Sequence, residues 1–548
     1  MNRAILVVLP LTATLSLWAC SSSTPKESSA SARSKAAKPP LTPTPGILSR
    51  LDPGSVVEET ETYVVHRLPK SEYLRVDDHH IRHPLIKNSV EFFKEDEKYY
   101  YIQTPRWTPE EVAQRQAAAK EPSEKPATPS EVSPSGQAPP LSDFEDLLPP
   151  RSARRLTLQR VQASGLPTGG MWRASFVLAD FNGDGFLDIV APAPRVGDAT
   201  LHIWLGNGKG TFSEWPLTFS EEGQPSTNFS IDYGGVAVGD IDGDGKLDVV
   251  TASHGFGLVS LFGDGRGGFR VVRAGLPQKE FSSQAIILLD VDGDGHLDIV
   301  ASQDVLDQDR PSDPSQVRVY LYRGAKGWQL KADAIIGGVI SNSLRAWDYD
   351  GDGKQDLLTG SHQFGALALL WKNQGNGTFV ATTFPGIEAY AYHFATTPGT
   401  FGAGHAPAFA DAFHLFTNTP KIARATGITI YSFEDSAWHP HRVWRKSGGE
   451  SSQFALAMGD LDGDGLDDVV FADTQERRLR VFFQRRDGSF EEMSERDEPT
   501  LDSPGQCIRI GDLDKDGRPD VVLAKTVSSN KPDDPGGWDV FLNKAATR

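Results

Sequence analysis

Cysteine is almost missing from this chain, with only Cys20 and Cys507 in 548 residues. That excludes a disulfide framework, as well as the paired-cysteine patterns of structural zinc sites and dithiol redox motifs. Positive charge is short as well. The 55 Lys and Arg face 73 Asp and Glu, a formal net charge of −18, so the basic footprint that nucleic-acid binding needs is not there. No nucleophile elbow, HExxH helix or phosphate-cradling glycine loop stands anywhere in the sequence. The apolar run 4–18 is too short to span a bilayer.

What the chain has in excess is acid, and the acid is periodic. Asp240–Asp248 reads DIDGDGKLD. It recurs as DFNGDGFLD (Asp180–Asp188), DVDGDGHLD (Asp290–Asp298), DYDGDGKQD (Asp348–Asp356), DLDGDGLDD (Asp460–Asp468) and DLDKDGRPD (Asp512–Asp520). Positions 1, 3, 5 and 9 always carry an oxygen side chain, and position 6 is always Gly. Alternating carboxylates in a tight loop, completed by a backbone carbonyl near position 7, suit a hard cation such as Ca2+. The expected ligands of the first loop are Asp180, Asn182, Asp184 and Asp188 with the carbonyl of Phe186. Those of the second are Asp240, Asp242, Asp244 and Asp248 with Lys246, and of the third Asp290, Asp292, Asp294 and Asp298 with His296. The fourth has Asp348, Asp350, Asp352 and Asp356 with Lys354; the fifth has Asp460, Asp462, Asp464 and Asp468 with Leu466. The sixth has Asp512, Asp514, Asp516 and Asp520 with Arg518. About six Ca2+ sites are expected.

An EF-hand would place a bidentate Glu at position 12 and helices on both sides. Position 12 here is Ala191, Thr251, Ala301, Thr359, Phe471 or Leu523, and the flanks are short β-branched runs such as Val249-Val250. Those runs predict strands, so each loop is a hairpin turn between two of them.

The N-terminus reads as an address label. Arg3 precedes the apolar run, and small residues lead to a cleavage point. Leu17-Trp18-Ala19-Cys20 resembles the lipobox of bacterial lipoproteins, with Trp18 an unusual residue inside it. The resemblance implies a signal peptide over 1–19, lipidation of Cys20 and an outer-membrane destination. The sequence predicts a flexible Ser/Lys/Pro tether over 20–50, a small β-containing element over 51–107, and a short helix with a Pro/Ser-rich linker over 108–152. Within the second of these, Asp77, His79, His80 and His83 form a short His/Asp cluster with spacing that could suit a transition metal or simply a solvated loop. Cys507 sits in an apolar stretch and reads as a buried, inert thiol.

Loop starts recur at 50–60 residues, except for one double gap between Asp348 and Asp460. One unit, near 388–447, has therefore lost its loop, which makes seven units of four strands each. Glycine-rich turns such as GNGKGTF (Gly206–Phe212) separate the third and fourth strands. The last unit ends one strand short at Gly537–Lys544, and Arg154–Pro167 supplies a strand before the first loop. The fold class expected is all-β: a seven-bladed β-propeller of four-stranded antiparallel blades over 153–548, latched by a shared blade, after a mostly irregular N-terminal extension.

Six loops with a ninth-position Asp, together with the glycine-rich turns, make residues 154–548 similar to FG-GAP/VCBS-repeat proteins, the group that includes the propeller of integrin α-subunits. The departures are the unit without a loop and Lys515, which replaces a Gly. The resemblance implies the fold and the calcium; the same repeat serves in adhesins, scaffolds and some polysaccharide-cleaving enzymes. The face opposite the loops is expected to carry the variable polar residues Arg173, Tyr233, Gln284, Asn342, Gln453 and Gln506, with His254, Gln303 and His362 beside them. The functional expectation is a lipid-anchored, calcium-stabilised envelope protein that binds a protein or polysaccharide and meets the membrane only through its lipid. The alternatives are a carbohydrate-active enzyme, such as a lyase working through His254 and His362, and a periplasmic subunit of an outer-membrane assembly.

Overall fold

The computed structural model describes short segments between 56 and 105 and most of 144–544. Within the latter it leaves out 173–174, 196–198, 222, 227–228, 255–256, 279–280, 304–315, 335–342, 362–368, 383–390, 417–423, 449–454 and 528–533. The signal, tether, Cys20, the 108–120 helix and the linker up to 143 lie outside the described residues, whereas the linker's end, 144–152, is described and pairs with the propeller. So do Asp77, His79 and His83. The chain divides into two compact units, Met1–Glu124 and Lys125–Arg548.

In the first unit, Val56–Glu59, Tyr63–Pro69, Tyr99–Pro105 and Lys94–Glu95 lie side by side in one sheet. Leu74–Arg75, His80–Arg82 and Val90–Glu91 form a second. The β-branched and aromatic runs YVVHRLP and YYYIQTP pair antiparallel from Tyr63 against Pro105 to Pro69 against Tyr99.

The second unit is a seven-bladed propeller with almost no helix. The innermost strands are Val177–Ala179, Gly234–Gly239, Ser283–Leu289, Leu344–Trp347, Ala391–Phe401, Ala455–Gly459 and Gly505–Gly511. Each touches the next around the ring, and the seventh touches the first. Three further antiparallel strands extend each blade outward. Second strands such as Asp248–Ser253 and Asp298–Gln303 are buried along their whole length, because a neighbouring blade covers each face.

Blade seven closes the ring as the sequence predicts. Thr157–Arg160 is its outer strand, with Phe541 opposite Arg160 and Lys544 opposite Thr157. Val161 continues the pairing by donating its N–H to the Val540 carbonyl at 2.9 Å. A Val161→Pro substitution removes that bond and is expected to cost ~3 kcal/mol. The check is chemical denaturation beside a Val161→Ala control, which should lose well under half as much.

Before reaching blade seven, the chain straps the rims of two others. Leu147 and Arg445 of blade five exchange backbone hydrogen bonds of 2.8 and 2.9 Å. On blade six, Ser152 donates to Glu492 and Glu492 to Pro150. Those edge strands are therefore covered rather than left open. On blade two, Thr218–Glu221 pairs parallel to the outer strand Gly268–Val272 and does the same.

Blade five is the unit without an acidic loop, and its strands are all 11 residues long. Its first hairpin turn, 402–405, carries no acid and is largely exposed, and aromatic packing from its other strands ties the blade to blade four. Phe409, Tyr431, Phe433 and Trp438 pack with Trp347 and Tyr349, the latter being position 2 of blade four's loop. Toward blade six, Thr400 donates from its backbone and its hydroxyl to Asp467, at 2.7 and 2.9 Å. Burial of aromatic surface thus holds this blade between two loop-bearing neighbours.

Candidate metal centres and partner face

In all six loop-bearing blades the hairpin has one register. The ninth-position aspartate pairs with the residue just before position 1, as Asp248 does with Gly239 and Asp520 with Gly511. That aspartate is fully buried and joins three elements. One oxygen of Asp248 accepts the N–H of Ile241 in the loop and the other that of Gly263 in the third strand, both at 2.8 Å. Asp188, Asp298, Asp356, Asp468 and Asp520 repeat the pattern, with third-strand donors Gly206, Tyr322, Asn373, Gln484 and Asn543. Burial raises the pKa of each, to about 6 for Asp248, Asp298, Asp356 and Asp520. Amide donors pull the other way without cancelling it.

The first-position aspartate shapes the loop. Asp240 accepts from the N–H of Gly243 and Gly245 at 2.8 and 2.9 Å, and Asp290, Asp348 and Asp460 do likewise. Position 4 takes a left-handed backbone, φ 74° at Gly243, and Lys515 adopts it too, at φ 55°. A side chain at that position is therefore tolerated but strained.

The third-position carboxylate is the one left over. Its Oδ1 is buried without a hydrogen-bond donor in Asp242, Asp292, Asp350 and Asp514; in the first loop Oδ1 of Asp180 is in the same state. Three acids converge within 4.8 Å in five loops: Asp240/Asp242/Asp248, Asp290/Asp292/Asp294, Asp348/Asp350/Asp356, Asp460/Asp462/Asp464 and Asp512/Asp514/Asp520. The remaining loop, the first, has Asn182 at position 3, which hydrogen-bonds Asp184 at 2.9 Å. A buried acceptor without a donor, facing other carboxylates, fits a cation held by these residues. When bound, the ion would supply charge neutralisation and oxygen coordination between the loop and the second strand.

Two details escape the loop pattern. Where position 7 is Lys246, Lys354 or Arg518, that side chain pairs with the fifth-position carboxylate, Asp244, Asp352 or Asp516, which does not join the convergent trio. Where it is His296 or Leu466, Asp294 and Asp464 do join it. Separately, a basic residue near the end of strand three reaches the third-position acid in four blades. The pairs are Arg323 with Asp292, Lys372 with Asp350, Arg485 with Asp462 and Lys544 with Asp514; Arg154 also meets Asp462. These tethered cations compete with a metal. An Arg323→Gln substitution is expected to tighten Ca2+ binding at the third loop several-fold, read by titration calorimetry against the parent protein.

On the opposite face the structure brings some of the sequence-predicted residues together. Tyr233 and His254 lie ring against ring at 4.9 Å, and His254 N–H donates to the Tyr233 carbonyl at 2.9 Å. Arg195 covers the Tyr233 ring at 5.5 Å, and Ser282 Oγ meets His254 Nδ1 at 3.0 Å. Neither Arg195 nor Ser282 is singled out by the repeat pattern, since each sits in a connection of variable length. Gln303 pairs with Ser283 beside Gln284, and Gln506 is the second residue of the inner strand of blade seven. Arg173, Asn342, His362 and Gln453 lie outside the described residues. Three of blade five's five histidines pack into the fold: His393 bonds Asp411 at 2.7 Å with both buried, His414 bonds Thr426, and His441 stacks on Phe401 at 3.8 Å, while His405 and His439 are exposed. Trp438 and Trp444 are buried.

An FG-GAP-like repeat is recognised at 180–251, 290–359 and 460–523, and an FG-GAP repeat at 233–271. The chain therefore carries FG-GAP repeats in a seven-bladed propeller. No curated protein matches it. Among solved structures it is similar to an Agrocybe aegerita lectin described by its recognition of non-reducing terminal N-acetylglucosamine. Identity there is 14%, over 68% of this chain and 94% of that one, with a TM-score of 0.38. It is also similar to the Dos1 propeller (10%, 70% and 95%, 0.38) and to a Penicillium chrysogenum α-L-arabinanase complexed with arabinobiose (10%, 56% and 92%, 0.33). Likeness at this level carries no statement about ligands.

Proposed function

We propose that this chain is a calcium-stabilised binding or scaffold propeller of the bacterial cell envelope. A lipidated Cys20 tethers it to the outer membrane, and the face opposite the metal loops meets a protein or polysaccharide partner. The observation that carries the calcium reading is the set of third-position oxygens buried without donors beside two other carboxylates. Asp, Asn and backbone carbonyl oxygens are the donor set of a hard cation, and flexible loops of this kind suit Ca2+ better than the stricter octahedron of Mg2+. Acids engaged as ligands are unavailable as general acids or bases, which favours binding over catalysis. The Arg195–Tyr233–His254–Ser282 cluster supplies aromatic surface, charge and hydroxyl donors in one place, a combination suited to a polar partner.

Titration calorimetry on ion-stripped protein tests the calcium reading: several saturable Ca2+ sites are expected, and no binding heat with an unchanged melt would refute it. Labelled palmitate incorporation that vanishes in Cys20→Ser tests the anchor. For the partner face, cross-linked capture from native membranes is compared between wild type and Tyr233→Ala/His254→Ala, with and without Ca2+. Partner recovery unaffected by that double substitution would remove the face from the reading.

A further inference from the structure

We propose that Arg154 is a built-in competitor at the metal loop of blade six, so that Ca2+ entering this loop unfastens the segment between the strap and the closing strand of blade seven. The inference rests on the calcium reading of the loops and concerns a contact that this loop alone has among the described residues. Elsewhere, a cation that reaches a third-position acid belongs to the same blade, as Arg323, Lys372 and Lys544 do. Arg154 comes from 308 positions away from Asp462. It lies between Ser152, on the rim of blade six, and Thr157–Arg160, the outer strand of blade seven.

One nitrogen bridges the two acids. Arg154 Nη1 donates to Oδ2 of Asp462 and, at 2.9 Å, to Oδ2 of Asp464, two of the three carboxylates that converge there with Asp460. Arg485 Nη1 approaches the same Asp462 oxygen at 3.5 Å, and Oδ1 of Asp462 accepts the N–H of Asp464 at 3.3 Å. In Asp242, Asp292, Asp350 and Asp514 that Oδ1 is buried without a donor. Arg154 is fastened at its base as well. Ser152 Oγ accepts the Arg154 N–H at 3.1 Å and donates to Glu491 at 2.7 Å. Arg485 Nη2 reaches both, Ser152 Oγ at 3.1 Å and Glu491 at 2.6 Å.

A cation coordinated by Asp462 and Asp464 needs the oxygens that Arg154 holds, so the two occupants exclude one another. Each therefore weakens the other by the same factor. Arg154 is the partner that gives way, because its side chain is 45% exposed and water solvates it readily, whereas that of Asp462 is 7% exposed. Arg485 keeps Glu491. Arg151 stays on Glu498 and Ser152 on Glu492, which confines the loosening to 153–156.

The test is hydrogen exchange by mass spectrometry on the full chain, ion-stripped and in millimolar Ca2+. Calcium should slow exchange in the acidic loops and yet quicken it at 153–156, by about threefold for an ion pair this exposed. In Arg154→Gln the segment should exchange quickly under both conditions, and 460–468 should reach half-protection at about threefold lower Ca2+. Arg154→Lys keeps a positive charge there and should retain the calcium response of 153–156. Protected loops with 153–156 unmoved in the wild type, or an Arg154→Gln variant that responds as the wild type does, would overturn the proposal and leave the calcium reading standing. Protection at no loop would overturn the calcium reading, and this inference with it.

Discussion

Stripping divalent cations from this protein is expected to lower its melting temperature by about 10 °C at neutral pH, and the loss should shrink as the pH falls. The size follows from mass action. At about 1 mM Ca2+, a site with a dissociation constant of about 0.1 mM contributes ~1.4 kcal/mol. Six such sites approach ~8 kcal/mol, comparable with the whole stability of a domain. The pH dependence follows from the buried ninth-position aspartates. In the ion-free fold the carboxyls of Asp248, Asp298, Asp356 and Asp520 have pKa values raised to about 6. An unfolded Asp titrates near ~4, so between these values the folded state holds the extra proton. That contribution is fully present below about pH 4 and is lost as the pH rises through about 6. Each pK unit is worth ~1.4 kcal/mol. Bound calcium needs the same carboxyls ionised, so protons and Ca2+ compete. The calcium-dependent increment in melting temperature should therefore grow from pH 4 to pH 7, measured on resin-stripped protein with and without added Ca2+. An increment that is flat across that range would remove the ninth-position aspartates from the coordination set.

Replacing Arg480 with Met should destabilise the propeller by about 3–5 kcal/mol. Arg480 is 4% exposed and meets three acids on blade six: Asp473 at 2.9 Å, Glu476 at 2.5 Å and Glu492. Asp473 and Glu492 are themselves 5% and 2% exposed. Without the guanidinium, these buried carboxylates would have to protonate or draw in water. Glu492 keeps one other cation, Arg151 of the strap at 3.4 Å, whose main partner at 2.5 Å is Glu498. The effect should therefore spread to the strap, loosening the hydrogen bonds between 150–152 and Glu492. Hydrogen exchange at Ser152 and Glu492 beside a denaturant melt checks both parts. Recovery of stability in Arg480→Met/Glu492→Gln would identify stranded charge, rather than lost packing, as the cause.

Much of this architecture was legible from one short pattern. The spacing of Asp180, Asp240, Asp290, Asp348, Asp460 and Asp512 gave the blade count and exposed the blade that lacks a loop. The short C-terminal unit and the strand around Leu158 foretold the latch. Other features were hidden because they depend on partners distant along the chain. Nothing in DIDGDGKLD says that Asp248 also ties down Gly263 fifteen residues later. Nor does it say that Lys246 draws Asp244 out of the trio. Blade five reads as a gap in the pattern, and only packing shows Tyr431, Phe433 and Trp438 tying it to Tyr349 of blade four.

The sequence by itself determined the local units: alternating apolar strands, tight acidic turns and their repeat, all set by contacts within about ten residues. Tertiary structure alone decided which charges meet. Arg151 and Glu498 are 347 positions apart in the numbering and meet because the chain before blade seven runs across the rim of blade six. The reason is geometric: hairpin register is a short-range property of the backbone, whereas the interior of a closed ring is shared by segments that no local pattern relates.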